Sequence, residues 1–128
     1  MAREAYVLVV DDDPIVQGLV VTRLEMAGYN VTTASDAWQG VIQAGTLKIG
    51  LVISDIQMPG VGNGVDGYNQ LRKMSPLMPV IFMSGMGVEA ALKILPMTDP
   101  RVRFVPKPID FEKMRGSIKE LTGVDRAL

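Results

Sequence analysis

Five short apolar runs recur along the chain and set its expected architecture. They cover Tyr6–Val10, Asn30–Thr33, Gly50–Ser54, Pro79–Met83 and Val102–Val105. Four of the runs are rich in Val and Ile, and three are nearly continuous, which is typical of parallel strands that are buried on both faces. The Asn30–Thr33 run alternates instead, so we expect that strand at an edge of the sheet.

Helical patterns occupy the stretches between these runs. They are predicted over Pro14–Ala27, Ser35–Leu47, Tyr68–Met74, Val88–Leu95 and Asp110–Leu121. The result is a strand–helix unit repeated five times, with no linker between the units. This pattern favours one α/β domain over residues 1–128, with a doubly wound parallel sheet.

Apolar positions at helical spacing predict which side of a helix faces the sheet. The expected inward residues are Val16, Val20 and Leu24 with Leu19 beside them, then Trp38, Val41 and Ile42, and finally Met114, Ile118 and Leu121. Ser35 is expected to cap the second helix and Asp110 the last one, because both side chains can accept hydrogen bonds from the first helical turn.

Composition narrows the chemistry open to this chain. Its 128 residues are 48% hydrophobic and 21% charged, which supports a packed core and argues against a disordered chain. The chain contains no Cys and no His. Disulfides, thiol nucleophiles, imidazole acid–base steps and zinc sites built on those residues are therefore excluded. Polar chemistry must use carboxylates, hydroxyls, lysines, backbone groups or a metal ion.

Charge and hydropathy argue against two classes of partner. Thirteen Lys and Arg residues nearly balance fourteen Asp and Glu residues, so direct binding of nucleic acid is not expected. The first apolar run stops at Asp11 and is too short for a secretion signal or a membrane span. Membrane insertion is therefore not expected, and a cytoplasmic location is the default expectation.

Acidic residues lie where two of the strands are predicted to end. Asp11, Asp12 and Asp13 follow the first strand, and Asp55 follows the third. Ligands of open parallel sheets bind beyond the carboxyl ends of the strands, at the topological switch point where the order of the strands reverses. Asp11, Asp12 and Asp55 would bring about three negative charges together, and Mg²⁺ is the counter-ion that such oxygen ligands favour. The simpler interpretation is that these acids cap the first helix, which one residue, Asp13, would satisfy.

The remaining two strands also end on polar residues. Ser84 ends the fourth strand, and Lys107 stands between two prolines after the fifth. Taken alone, Ser84 reads as a turn residue and Lys107 as a solvated loop lysine. The acidic run at 11–13, Asp55, Ser84 and Lys107 all fall at predicted strand ends on one edge of the sheet. We therefore expect Lys107 to supply a cation for a phosphoryl group there.

Four motifs make the chain resemble the receiver domains of bacterial two-component response regulators. They are VLVVDDDP at 7–14, LVISDIQMPG at 51–60, VIFMSG at 80–85 and FVPKP at 104–108. The resemblance covers nearly the whole chain, and the second motif is the most specific. It implies a flavodoxin-like (βα)₅ fold with a five-stranded parallel sheet in the order 2-1-3-4-5.

The resemblance also implies a role for each matching residue. Asp55 corresponds to the phosphorylated aspartate, and Ser84 and Lys107 to the groups that hold the phosphoryl oxygens. Asp11, Asp12 and Asp55, with the backbone carbonyl of Gln57, correspond to the Mg²⁺ ligands. Ser84 and Phe104 correspond to the switch pair, and the Lys107–Pro108 peptide bond is cis in typical members.

By resemblance, the chain takes a phosphoryl group from a sensor histidine kinase or a histidine phosphotransfer protein. Since the chain has no histidine, the donor imidazole must come from outside this sequence. Phosphorylation is expected to change binding of a downstream protein at the face of helix 4, strand 5 and helix 5, and dimerisation is one expected output. The chain is not expected to be an enzyme beyond supporting its own Mg²⁺-dependent phosphorylation and dephosphorylation.

One segment departs from the family pattern. The loop after Met58-Pro59 is expected to be about four residues longer than usual, and it holds Gly60, Gly62, Gly64 and Gly67. Such a loop could shape partner contacts or be a neutral insertion.

Two other functions stay open at this point. A degenerate receiver that binds partners without phosphorylation is one, although all the expected chemical positions are occupied. A Mg²⁺-dependent phosphohydrolase with an aspartate nucleophile, as in the haloacid dehalogenase group, is the other. That group needs a second Asp two residues after the nucleophile, an arrangement found at Asp11 and Asp13 but not after Asp55.

Overall fold

The structure, a computed structural model, describes residues 5–57 and 63–128. Its strands are β1 (Tyr6–Val10), β2 (Asn30–Ala34), β3 (Ile49–Asp55), β4 (Val80–Ser84) and β5 (Val102–Pro106). Its helices are α1 (Pro14–Met26), α2 (Ala37–Thr46), α3 (Gly64–Met74), α4 (Val88–Ile94) and α5 (Phe111–Thr122). The five predicted strand–helix units are confirmed in number, kind and order.

All strands pair in parallel in one sheet with the order β2-β1-β3-β4-β5. This order confirms the expected flavodoxin-like fold and puts the alternating strand β2 at an edge. No helix within residues 5–57 and 63–128 is long and apolar enough to span a membrane.

The sheet separates two apolar layers, because neighbouring residues of a strand point to opposite faces. Val7 and Val9 of β1 face α1 and α5, where they pack with residues such as Leu24 and Met114. Leu8 and Val10 face the other side, where the core includes Phe82 of β4 and Leu71 of α3. Burial on both faces explains the continuous apolar runs in the central strands.

The predicted inward face of α2 is wrong at two of its three residues, because only Val41 is half-buried. Trp38 is 42% exposed and Ile42 is 65% exposed, whereas Ala37 and Gly40 are buried. A Cβ atom on Gly40 would lie only 3.0 Å from Val10, so α2 approaches β1 too closely for a large inward residue. The helix is capped by Asp36, whose carboxylate accepts a hydrogen bond from the Gln39 N–H at 2.8 Å, and not by Ser35.

The faces of α1 and α5 follow the prediction with one exception. Val20 and Leu24 are buried and Val16 packs against them, but Leu19 is 48% exposed because its position turns away from the sheet. In α5, Met114 and Ile118 are buried, Leu121 packs beside them and Asp110 caps the helix, as expected.

Helix α3 begins four residues before the predicted start, so the preceding loop is shorter than expected. The Asn63 side chain caps the helix, and the Asn63 N–H donates to the Asp66 carboxylate at 2.9 Å, which completes a capping box. Gly64 and Gly67 therefore belong to α3. The rest of the expected glycine-rich loop, residues 58–62, lies outside the described residues.

Candidate functional site

The carboxyl ends of the strands bring the expected polar residues to one edge of the sheet. Asp11 follows β1 directly, Asp55 is the last residue of β3, Ser84 is the last residue of β4 and Lys107 follows β5. Because the strands are parallel and ordered with β3 between β1 and β4, these positions converge.

Three carboxylates form the centre of this edge. One oxygen from each of Asp11, Asp12 and Asp55 lies within 4.8 Å of the other two. Asp11 and Asp55 are buried, whereas Asp12 is exposed. An all-oxygen set that is open to water on one side suits Mg²⁺, which binds a few carboxylates and keeps several of its waters. The residues present therefore fit a magnesium ion.

Lys107 bridges the two buried acids. Its Nζ atom lies 3.0 Å from Asp11 Oδ2 and 3.3 Å from Asp55 Oδ2. The Lys107–Pro108 peptide bond is cis. The Lys107 backbone N–H donates to the Ser84 carbonyl at 2.8 Å, which holds the backbone of the lysine in place. A cation is thus placed directly beside the Asp55 carboxylate.

Burial and charge act in opposition at this site. Burial raises the pKa of Asp55, the Lys107 charge opposes that rise, and the Asp11 charge adds to it, so the pKa remains above its ordinary value. Burial alone would lower the pKa of Lys107, but its hydrogen bond to Asp11 and the charges of Asp55 and Asp11 outweigh this effect and raise it. Lys107 is therefore cationic throughout the neutral range.

The main chain around Asp55 is tightly packed. The Gln57 N–H donates to Asp55 Oδ1 at 3.3 Å, and the Ser54 hydroxyl donates to the Asp55 carbonyl at 3.0 Å. A Cβ atom on Gly64 would lie 2.2 Å from the Asp55 carbonyl oxygen, so the start of α3 needs glycine here. The predicted role of the Gln57 carbonyl as a metal ligand stays a prediction.

Ser84 and Phe104 lie on neighbouring strands beside this centre. Ser84 is fully buried, and its Oγ accepts a hydrogen bond from the Met86 N–H at 3.0 Å. Phe104 pairs with Phe82 across β4 and β5 and is half-buried against the layer that contains α2 to α4. Their predicted role as a switch pair stays a prediction.

Comparison with known families decides the class of the chain. Residues 7–119 match the family described as response regulator receiver domain. This chain is a receiver domain.

Known proteins and structures agree with that assignment. The chain is 32% identical over 119 residues to the transcriptional regulatory protein GlrR of Escherichia coli K12, which covers 92% of this chain but 26% of GlrR. A response regulator receiver domain protein from Clostridium thermocellum matches with a TM-score of 0.81 and 29% identity, over 93% of this chain and 94% of that one. The chemotaxis protein CheY4 of Vibrio cholerae matches with a TM-score of 0.79 and 25% identity, over 91% of this chain and 98% of that one. The receiver domain thus spans about a quarter of the length of GlrR.

Sequence reasoning missed two polar groups of this receiver domain. The Gln17 side chain of α1 donates hydrogen bonds to the backbone carbonyls of Asp11 and Ala34. A glutamine in a helix is common on exposed faces, so the sequence did not indicate this contact. Asp99, before β5, pairs with Tyr68 and Arg72 of α3, with Arg72 Nη2 at 2.9 Å. These residues lie 27 to 31 positions apart, so only the fold brings them together.

Proposed function

We propose that residues 1–128 form a single phosphoacceptor domain in which Asp55 takes a phosphoryl group from a phosphohistidine. Receiver domains interact with sensor kinases or phosphotransfer proteins and are generally not enzymes in their own right. The observation that carries the proposal is the Asp55 carboxylate beside the Lys107 ammonium, within a cluster of three carboxylates.

Receiver domains bind Mg²⁺ at an acidic pocket, and the donor set of this chain fits that ion. Asp11, Asp12 and Asp55, with the Gln57 carbonyl, would hold it. When bound, the ion offsets the negative charge that builds up between an acceptor carboxylate and a phosphoryl group.

The residues of the chain supply alignment and charge for the transfer. An Asp55 carboxylate oxygen forms a bond to phosphorus while the bond from phosphorus to the donor imidazole nitrogen breaks, and that nitrogen keeps the electron pair. Lys107 and the Ser84 hydroxyl bind the phosphoryl oxygens. Phosphoryl transfer has a loose transition state that depends mainly on such positioning and electrostatics.

The phosphoryl group then changes the state of the β4–β5 edge. The Ser84 hydroxyl leaves the Met86 N–H to donate to a phosphoryl oxygen, and the half-buried Phe104 ring moves inward beside it. The face of α4, β5 and α5 changes as a result and alters binding to a downstream protein, with dimerisation as one form of that output.

Intact-mass measurement tests the proposal. The protein is incubated with acetyl phosphate and Mg²⁺, and we expect a mass increase of one phosphoryl group that disappears in Asp55→Asn. Asp36→Asn is the matched control, because asparagine also caps a helix and Asp36 lies outside the acidic cluster. EDTA should prevent the adduct in the wild type.

Other outcomes would favour the alternatives. If no adduct forms with acetyl phosphate, phosphoramidate or a phosphorylated histidine donor, the chain is a binding module that works without phosphorylation. Sustained release of phosphate from monoesters would instead identify a phosphohydrolase. An adduct that persists in Asp55→Asn would remove Asp55 from its proposed role.

A further inference from the structure

The side chain of Gln17 joins three separate segments at the acidic site. Gln17 lies in the first turns of α1, and its Nε2 atom donates to the Asp11 carbonyl at 3.1 Å and to the Ala34 carbonyl at 3.0 Å. Ala34 ends β2, and its carbonyl also accepts from the Asp11 N–H at 3.1 Å. One primary amide therefore connects α1, the end of β2 and the segment after β1.

The Asp11 carbonyl belongs to the peptide group that joins Asp11 to Asp12. Holding this carbonyl limits the rotation of that peptide plane, which sets the direction in which the Asp12 side chain leaves the backbone. Within residues 5–57 and 63–128, no hydrogen bond or ion pair involves the Asp12 carboxylate. The position of Asp12 is consequently set by its backbone, whereas Asp11 is also held by Lys107 and by the Asp13 N–H.

We propose that Gln17 is a positioning residue for the acidic pair Asp11 and Asp12. Its amide orients the peptide between them, so that the exposed Asp12 carboxylate stays within reach of the Asp55 carboxylate before any ion binds. This inference rests on the proposed Mg²⁺-dependent function, since its consequence is a preorganised oxygen set. Groups that orient metal ligands from outside the ligand shell typically change metal affinity by about 10- to 100-fold when they are lost.

The chemistry of the side chain explains why glutamine suits this position. Both contacts are to carbonyl oxygens, so the position needs two hydrogens on one nitrogen. Methionine has a similar length but no donor, and glutamate would direct acceptor oxygens at both carbonyls. Lysine has donors and sufficient length to reach the same two carbonyls.

The test compares Gln17→Met with Gln43→Met. Gln43 lies in α2, and within the described residues its side chain makes no hydrogen bond. Binding of Mg²⁺ is measured by isothermal titration and by amide shifts in two-dimensional NMR. We expect Gln17→Met to bind Mg²⁺ about tenfold more weakly than the wild type, and Gln43→Met to bind it equally well.

A second readout needs no metal. In EDTA, the Asp11 amide should exchange faster with solvent, and the Asp12 amide resonance should broaden or shift, in Gln17→Met but not in Gln43→Met. Gln17→Lys should restore slow exchange of the Asp11 amide, which a general loss of stability would not allow. Circular dichroism confirms that each variant is folded.

The outcomes separate this inference from the proposed function. Unchanged Mg²⁺ affinity and unchanged amide behaviour in a folded Gln17→Met protein would overturn the role of Gln17. A Gln17→Lys protein that exchanges as fast as Gln17→Met would overturn it as well. If the wild type itself fails to bind Mg²⁺, the proposed function fails, and the metal-free amide measurements still decide the role of Gln17.

Discussion

Replacing Asp55 with asparagine should stabilise the metal-free protein at neutral pH, even though it removes the proposed phosphorylation site. Asparagine has nearly the same shape, so the Gln57 N–H keeps an oxygen acceptor at this position. Lys107 also keeps Asp11 as a partner at 3.0 Å, so the substitution leaves no unpaired cation behind. The change thus isolates the cost of one buried negative charge.

The magnitude follows from the distances at the site. With an effective dielectric of about 20, a charge on Asp11 at the 4.8 Å limit repels Asp55 by about 3.5 kcal/mol. The exposed Asp12 adds about 1 to 2 kcal/mol because water screens it more strongly. Lys107, at 3.3 Å, attracts Asp55 by about 5 kcal/mol on the same scale.

These charge terms nearly cancel, so the desolvation of the buried Asp55 carboxylate decides the sign. Replacing buried charges with neutral groups of similar volume often stabilises a protein by about 1 to 4 kcal/mol. Because Asp55→Asn leaves the Lys107–Asp11 pair intact, we expect about 1 to 2 kcal/mol, or a rise in Tm of about 3 to 10 °C.

The pH dependence gives a second check with a definite sign. Burial is the main reason that the pKa of Asp55 is raised in the folded protein, whereas the unfolded chain titrates near the ordinary value of about 3.9. The free energy of unfolding therefore begins to fall as the pH rises through the pKa of Asp55 in the unfolded chain. The full loss is present above the pKa of Asp55 in the folded protein. The advantage of Asp55→Asn should therefore be larger at pH 7 than at pH 3, where the carboxyl group is largely protonated in both the folded protein and the unfolded chain.

Urea and thermal unfolding in EDTA, at both pH values, measure this advantage, with Asp36→Asn as the control. Adding Mg²⁺ should stabilise the wild type, by about 2.7 kcal/mol at one hundred times its Kd. The same addition should stabilise Asp55→Asn less, because one ligand is lost. The reasoning is refuted if Asp55→Asn is less stable than the wild type at pH 7 in EDTA, or if its advantage is the same at pH 3.

Three further substitutions test individual contacts of the fold. Gly64→Ala should lower the free energy of unfolding in urea by at least about 2 kcal/mol, because its Cβ would clash with the Asp55 carbonyl, and a loss below 0.5 kcal/mol would contradict that contact. Gly116→Ala in α5 should raise the free energy of unfolding by about 0.5 to 1 kcal/mol, because a Cβ atom there meets nothing within 4 Å. A decrease would contradict the open space at this position. Asp99→Asn should cost about 1.5 to 3 kcal/mol at pH 7, because the Arg72 charge loses its partner. Burial would raise the pKa of Asp99, but its hydrogen bonds and the charge of Arg72 outweigh burial and lower the pKa. The contribution of Asp99 to stability is therefore present above about pH 4 and is lost as the pH falls towards the lowered pKa. A cost of Asp99→Asn that is unchanged at pH 2 would contradict this reasoning.

Much of the fold could be predicted because the signals are local. Continuous apolar runs indicate buried parallel strands, and a polar residue at the end of a run marks the edge where the chain turns. Ser84 ends its strand as predicted, and Lys107 follows β5 directly. Asp55 is the last residue of β3, one position earlier relative to the strand end than predicted.

Helix faces were harder to predict because they depend on how closely elements approach. Trp38 and Ile42 have the spacing of a buried stripe, yet they face solvent because α2 lies against Val10 through Gly40. Likewise, the start of α3 depends on a capping box at Asn63, which the four glycines nearby obscured.

The sequence by itself determined the strand–helix order, the family and the residues that reach the carboxyl edge of the sheet, since each is set by residues close along the chain. Only the tertiary structure decided that Lys107 bridges Asp11 and Asp55, 96 and 52 positions away, and that Gln17 holds the peptide of the acidic pair. Such contacts arise from strand order and helix placement, which bring distant groups within hydrogen-bonding distance and remove them from water. Residues close together along the chain cannot indicate which distant groups will meet.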